Sequence, residues 1–229
     1  MGFYFSSGAL KLGLMFSLLR NIRFYILVGA VVFSVALYFF VLGTSGGVVI
    51  TKLTRYYALV ALGLLYVVLT IGPSVRVFPW IPFKSKLIFA RRGLGVSVFY
   101  FALLHASMAF FLELGGFGGL GFLGSKYLLA ISLSFTALVI LSLMAATSFD
   151  FMIRKLGYSR WKFLHRFVYL AGFLIVLHAL LIGSDFQNLS SRWAQLSLVL
   201  LASLLIVEAL AWIKYLRLRR AAFVKKKEE

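Results

Sequence analysis

Six stretches of unbroken apolar sequence, near 24–43, 57–77, 93–113, 126–148, 164–183 and 194–213, dominate this chain. Each is close to the roughly 20 residues a helix needs to cross a hydrocarbon core. They are too long and too evenly apolar for barrel strands, which would alternate with period two over about 10 residues. The expected fold is therefore all-α, a six-helix integral membrane bundle. The charged fraction supports this: 13% of residues are Asp, Glu, Lys or Arg, about half the share of a soluble domain.

The net charge of +18 could suggest a nucleic-acid partner, but its distribution argues for a membrane. If the N-terminus is placed inside, the four inner segments hold 20 Lys and Arg and the three outer ones hold Lys52, Arg55, Lys126 and Arg192. That asymmetry puts both termini in the cytoplasm. Anionic inner-leaflet lipids account for the basicity, and nucleic acid is excluded as a partner.

The expected organisation is an N-terminal cytoplasmic or interfacial segment over 1–23, a six-helix domain over 24–213 and a basic cytoplasmic tail over 214–229. Phe3, Tyr4 and Phe5 with Lys11 and Arg20 fit an interfacial helix over 1–22. The first apolar segment is long and lacks a small-residue cleavage site, so it reads as an anchor rather than a removed signal. Pro79 and Pro82 stop the second helix, and Trp80, Trp161, Trp193 and Trp212 fall at interfaces. Gly115–Gly121 lacks the Lys-Ser/Thr and preceding strand of a phosphate loop and reads as a turn with membrane-dipping Phe and Leu. No flavin or NAD(P)H domain is expected on this chain.

Absence of cysteine removes disulfides, iron–sulfur clusters and covalent c-type haem attachment. Ionisable groups inside lipid are costly and concentrate at functional sites. The three histidines are His105, His165 and His178, all within apolar segments. A single one would read as a hydrogen-bonded core residue. Their depths say more. His105 is about twelve residues into the third segment and His178 about fourteen into the fifth, which runs the same way. Both lie roughly 18–21 Å from the inner surface at 1.5 Å per residue. Two imidazoles at one level on parallel helices can ligate a six-coordinate haem iron.

His165 lies 13 residues before His178, roughly 20 Å closer to the cytoplasm and roughly 140° away around an ideal helix. A π-bulge or local unwinding would be needed to bring them to one face. On the third segment, Arg91 stands one haem-spacing before His105, where a partner for His165 would be. An inner haem would need another sixth ligand or be five-coordinate, unless there is none. Arg91, Arg92 and Arg166 share the level of His165. They read either as plain inner-face charge or as partners of haem propionates or a flavin phosphate. Glu208, the one acid well inside a helix, is expected to pair locally with Lys or Arg, and Glu113 and Asp185 to be solvated at outer helix ends.

The stretch Arg91-Arg92-Gly93-Leu94-Gly95, then Leu104-His105 and Leu112-Glu113-Leu114-Gly115, resembles the third helix of the ferric reductase-like transmembrane family. Lys155-Leu156-Gly157, Arg160-Trp161, Leu164-His165-Arg166-Phe167-Val168-Tyr169-Leu170 and His178 resemble it more specifically. The nearest branch is that of haem-binding membrane subunits serving bacterial periplasmic methionine sulfoxide reductases. The resemblance covers roughly 85–183. It implies haem b at an outer site with or without an inner one, and His105, His165 and His178 as axial ligands. It further implies a cytosolic flavin reductase as donor, with FMN a further candidate cofactor, and a periplasmic molybdenum-cofactor oxidoreductase as acceptor. The location implied is the bacterial inner membrane, and turnover of substrate by this chain alone is not expected. The competing reading is a transporter or assembly subunit with structural histidines; no inverted repeat or matching pair of broken helices supports it.

Overall fold

The structure is a computed structural model describing residues 7–186, 188 and 190–228, with side chains described from 22 to 220. Phe3, Tyr4 and Phe5, and the side chains of Lys11 and Arg20, lie outside that set. Nine α-helices account for nearly all described residues: α1 Ser7–Thr44, α2 Val49–Val77, α3 Lys84–Ser107, α4 Phe117–Leu120, α5 Ser125–Ala146, α6 Asp150–Leu156, α7 Tyr158–Leu164, α8 Val168–Ile182 and α9 Arg192–Glu228. A π-helical segment, Met108–Glu113, continues α3, and a 3₁₀ turn, His165–Phe167, joins α7 to α8.

Six helices are long and apolar enough to cross a membrane: Ile22–Thr44, Val49–Val77, Lys84–Glu113, Ser125–Ala146, Tyr158–Ile182 and Arg192–Arg220. They coincide with the six apolar segments and overrun several of them. α2 starts at Val49 rather than near 57, carrying Lys52 and Arg55 on its first turns. Charged residues at a span's end can reach water while their backbone stays helical, so hydropathy underestimates helix length. α2 ends at Val77, immediately before the Phe78-Pro79 pair. Gly115–Gly121 is not a plain turn, because Phe117–Leu120 winds into α4, yet Phe117 and Phe122 are 81% and 92% exposed.

The outer surface of the bundle is apolar. Phe24, Phe39, Phe40, Phe135, Phe173 and Leu205 are each at least 60% exposed, which water would not tolerate over so wide an area. Inside, α3 packs on α1, α2 and α5, while α8 packs on α5 and α2, and α9 on α2. Two apolar clusters hold these contacts. One joins Leu65, Val68 and Leu69 to Val98, Leu141, Val168, Ala171 and Leu204; the other joins Val41, Leu53, Tyr57 and Ala61 to Phe101.

In lipid, helix association rests on close packing and interhelical hydrogen bonds rather than on apolar burial. Small residues sit where backbones approach. A Cβ added at Gly93 would lie 3.4 Å from the Arg23 backbone, and one at Gly172 would lie 3.4 Å from Leu69. Hydroxyls supply the second component: Tyr57 donates to the Ser34 carbonyl at 3.1 Å, and the hydroxyls of Tyr66 and Ser203 meet at 2.6 Å.

Candidate metal centre

α3 and α8 are bridged on either side by α2 and α5, and the histidines face one another within that frame. The ring centroids of His105 and His178 are 6.4 Å apart, with planes inclined at 74°. His105 Nδ1 lies 3.0 Å from the Thr54 carbonyl of α2, and His178 Nδ1 lies 2.9 Å from the Ala130 carbonyl of α5. A carbonyl only accepts, so each Nδ1 carries the proton and donates. Each Nε2 is left as an unprotonated lone pair. Backbone-anchored Nδ1–H with free Nε2 is the outer-shell arrangement that orients metal-ligating histidines.

The spacing suits one metal ion between the rings. With metal–nitrogen bonds near 2.0 Å and about 1.1 Å from ring nitrogen to centroid, two imidazoles on opposite sides of one ion would place their centroids about 6.2 Å apart. Among the described residues no group of three or more His, Asp or Glu converges. The protein thus offers this position two axial nitrogens, and a haem macrocycle brings its own equatorial ones. The donor set therefore fits haem.

One end of this frame is tied by an ion pair absent from the sequence-based expectation. Arg55, next to Thr54, donates through Nε to Asp185 at 2.8 Å and through Nη2 to the other carboxylate oxygen. Asp185 is 8% exposed, not solvated as its helix-end position suggests. Its carbonyl also accepts from Ser191 Oγ, which in turn accepts from the Ala194 N–H at the start of α9. Nothing in the local sequence marks Asp185 for this; its partner is 130 residues away.

His165 stands apart from the pair. Its Nε2 lies 3.3 Å from Thr147 Oγ1. That hydroxyl spends its proton on the Leu143 carbonyl at 2.7 Å, so it accepts from His165, whose Nε2 is therefore the protonated nitrogen. The ring lies on Trp161, centroids 4.2 Å apart, and Trp161 donates to the Thr147 carbonyl. The 3₁₀ turn at His165–Phe167 winds the helix tighter rather than loosening it. Three residues at roughly 120° instead of 100° reduce the offset from His178 from about 140° to about 80°. The two rings still address different places.

The three expected arginines do not converge. Arg92 donates to Asp150 at 2.7 Å and to the Ser148 carbonyl, and lies over the Trp161 ring. Arg23 of α1 reaches the same carboxylate at 3.1 Å. Partial burial pushes the Asp150 carboxyl up, but hydrogen bonds and charge from Arg92 and Arg23 outweigh it and hold it below its usual range. Arg91 points the other way, toward Gly72 of α2, and Arg166 is exposed. Glu208 accepts from the Tyr169 hydroxyl instead of forming the expected pair with Lys or Arg: the ion pairs among the described residues involve only Asp150 and Asp185.

Six apolar helices enclosing two facing, backbone-anchored imidazoles define a multi-pass membrane protein with a candidate metal centre. Residues 56–177 match the family described as ferric reductase like transmembrane component, and the chain belongs to that family. Several relatives bear the name protein-methionine-sulfoxide reductase heme-binding subunit MsrQ. That of Klebsiella pneumoniae (strain 342) is 38% identical over 144 residues, 62% of this chain and 69% of the relative. That of Enterobacter sp. (strain 638) is 40% identical over 99 residues, 42% and 49% of the two chains. That of Cronobacter sakazakii (strain ATCC BAA-894) is 38% identical over 122 residues, 52% and 58%. For the last two, this chain spans about half of the relative's length.

Proposed function

We propose that this chain is a transmembrane electron-transfer subunit that binds haem b between His105 and His178. The observation that carries the reading is the 6.4 Å separation of two imidazoles whose Nδ1 atoms are both committed to backbone carbonyls. The names of the relatives agree with it. Haem bound there would supply reversible one-electron chemistry at iron.

The protein's part is placement. His105 and His178 would hold the haem iron through their Nε2 lone pairs. Thr54 and Ala130 fix the ring tautomers. The apolar flanks keep water from the rings, and the Arg55–Asp185 pair holds α2 against the loop after α8. The proposed site is the pair; His165, hydrogen-bonded through Nε2 to Thr147, would hold an inner haem only on release of that bond.

The finer parts of the reading concern orientation and partners. The Lys- and Arg-rich end is placed in the cytoplasm on the strength of the 20-to-4 asymmetry and the positive-inside rule. The membrane is the bacterial inner membrane. A cytosolic flavin reductase delivers electrons at the basic end. A periplasmic molybdenum-cofactor oxidoreductase, of the class that reduces methionine sulfoxide, takes them at the other.

The absorption spectrum of the purified chain tests the core of this. A Soret band that shifts on dithionite reduction, with the split bands of low-spin haem b, is expected. Colourless protein from haem-replete cells would leave the histidines structural and favour a transporter or assembly subunit.

A further inference from the structure

Arg91 and Arg76 converge on one glycine. A Cβ built on Gly72 would lie 3.0 Å from Arg91 Nη1 and 3.8 Å from Arg76 Nη2. A Cβ there would press on the Arg91 guanidinium, while Arg76 would stay at ordinary contact distance. Arg76 Nε donates to the Gly72 carbonyl at 3.3 Å. A third cation is close: Lys214 of α9 donates through Nζ to the Arg76 carbonyl at 2.7 Å. The sequence pattern sets Arg91 beside Arg92 and Arg166; the fold brings it to Arg76, whose main-chain carbonyl holds Lys214.

Among the described residues no carboxylate is ion-paired with these cations. The three ion pairs among the described residues use Arg23, Arg55 and Arg92. Glu208 is engaged by the Tyr169 hydroxyl at 2.5 Å, and Tyr169 lies within electrostatic reach of both Arg91 and Arg76. Three cations thus face one carboxylate that is directed elsewhere. Like charges brought together at the edge of a low-dielectric bundle are costly unless an anion joins them. Paired guanidiniums and an ammonium match the oxygens of a phosphate.

Position selects the source of that phosphate. Arg76 is in the last turn of α2 and Lys214 lies past the apolar centre of α9, so the group sits where spans leave the hydrocarbon. Arg76 is exposed, and Tyr169 is 41% exposed on the bundle's flank. The site opens sideways, toward the headgroups of that leaflet, rather than only along the bundle axis. Basic pockets between spans at this level suit anionic headgroups. We propose that Arg76, Arg91 and Lys214 bind the phosphate of an anionic phospholipid from the leaflet at the basic end. This site is separate from the His105–His178 pair, and its test does not depend on haem.

The test uses the full chain in nanodiscs of phosphatidylcholine with or without phosphatidylglycerol, followed by thermal unfolding. Phosphatidylglycerol should raise the melting temperature of the wild type, as any ligand selective for the folded state does. The rise should be largely lost in Arg76→Gln/Arg91→Gln, but kept in Arg219→Gln/Arg220→Gln, which removes the same charge from the tail. Gly72→Ala gives a second reading if the double variant does not fold. It leaves every charge in place and displaces the Arg91 guanidinium, and it should also blunt the rise. Equal rises in wild type, the double variant and Gly72→Ala would overturn the site. So would an equal loss in the tail variant, which would mean diffuse attraction. Stabilisation of the wild type, but not the double variant, by inorganic phosphate or flavin mononucleotide in pure phosphatidylcholine would overturn the lipid as the source.

Discussion

His105 and His178 stand 6.4 Å apart between ring centroids, yet neither ring is held in place by its own helix. His105 on α3 is anchored by a carbonyl of α2, and His178 on α8 by a carbonyl of α5. Each ring is set by a neighbouring span, so the pair's geometry is a property of four helices together. Loss of either imidazole leaves the other with its tautomer and orientation intact but without a trans partner.

His105→Ala and His178→Ala should therefore each abolish the low-spin spectrum and lower bound haem at least about tenfold, because one axial ligand remains. His165→Ala should leave the bands of the His105–His178 haem unchanged and lower haem content only by an inner haem. Haem quantification as the pyridine complex reads this directly. Intact low-spin haem in His178→Ala would show that the pair is not the ligand set.

Sealed vesicles of known orientation test the direction of electron flow. NAD(P)H with a flavin reductase, added outside, should reduce the haem quickly in inverted vesicles and hardly at all in right-side-out ones. The ten Lys and Arg of the two basic-end interhelical segments offer an acidic donor a docking surface, so the fast rate should fall as salt rises. Equal rates in both orientations would overturn the assigned topology.

Asp150 gives the bundle an acid-sensitive tie at its basic end. Its carboxyl is held below the ordinary value of 3.8 by Arg92 and Arg23. A depressed folded value means the stabilisation is complete above the unfolded value and is lost as pH falls from there through the folded one. Melting temperature should thus decline below about pH 4, and Asp150→Asn should be less stable at neutral pH with a flatter acid limb. An unchanged acid limb in Asp150→Asn would assign the acid sensitivity to other groups.

Gly93 and Gly95 sit two residues apart on α3 but are not equivalent. An added Cβ at Gly93 meets the Arg23 backbone and Ile26 at 3.4 Å, whereas one at Gly95 meets nothing within 4 Å. Gly93→Leu should separate α1 from α3 and cost about 1–3 kcal/mol, as overpacking does. Gly95→Leu should be near neutral. Thermal unfolding of the two variants side by side distinguishes them; equal losses would mean that α1–α3 packing is not set at Gly93.

Hydropathy located all six spans because each is one unbroken solvent requirement, readable from local sequence. It misplaced the start of α2, where Lys52 and Arg55 extend a helix beyond its apolar part. Counting 1.5 Å per residue placed His105 and His178 at one level, and their ring contact agrees. It could not supply Thr54 or Ala130, whose contributions are main-chain carbonyls that no side-chain pattern encodes. The charged residues were least legible. Asp150, Asp185 and Glu208 find partners on other spans, and Arg91 and Arg92, adjacent in sequence, serve opposite sides of α3. Which cation meets which anion is decided by helix packing, and one-dimensional spacing carries no record of it.

The pairing of Arg55 with Asp185 also orders events in time. Arg55 enters the membrane with the second span, and Asp185 follows only after the fifth, 130 residues later in the chain. During synthesis the guanidinium cannot meet this carboxylate until five spans are in place. The Thr54 carbonyl, one residue away, already has His105 of the third span as its partner when His178 arrives. The nascent bundle therefore passes through a stage in which both imidazoles are inserted and the latch across one end is still open.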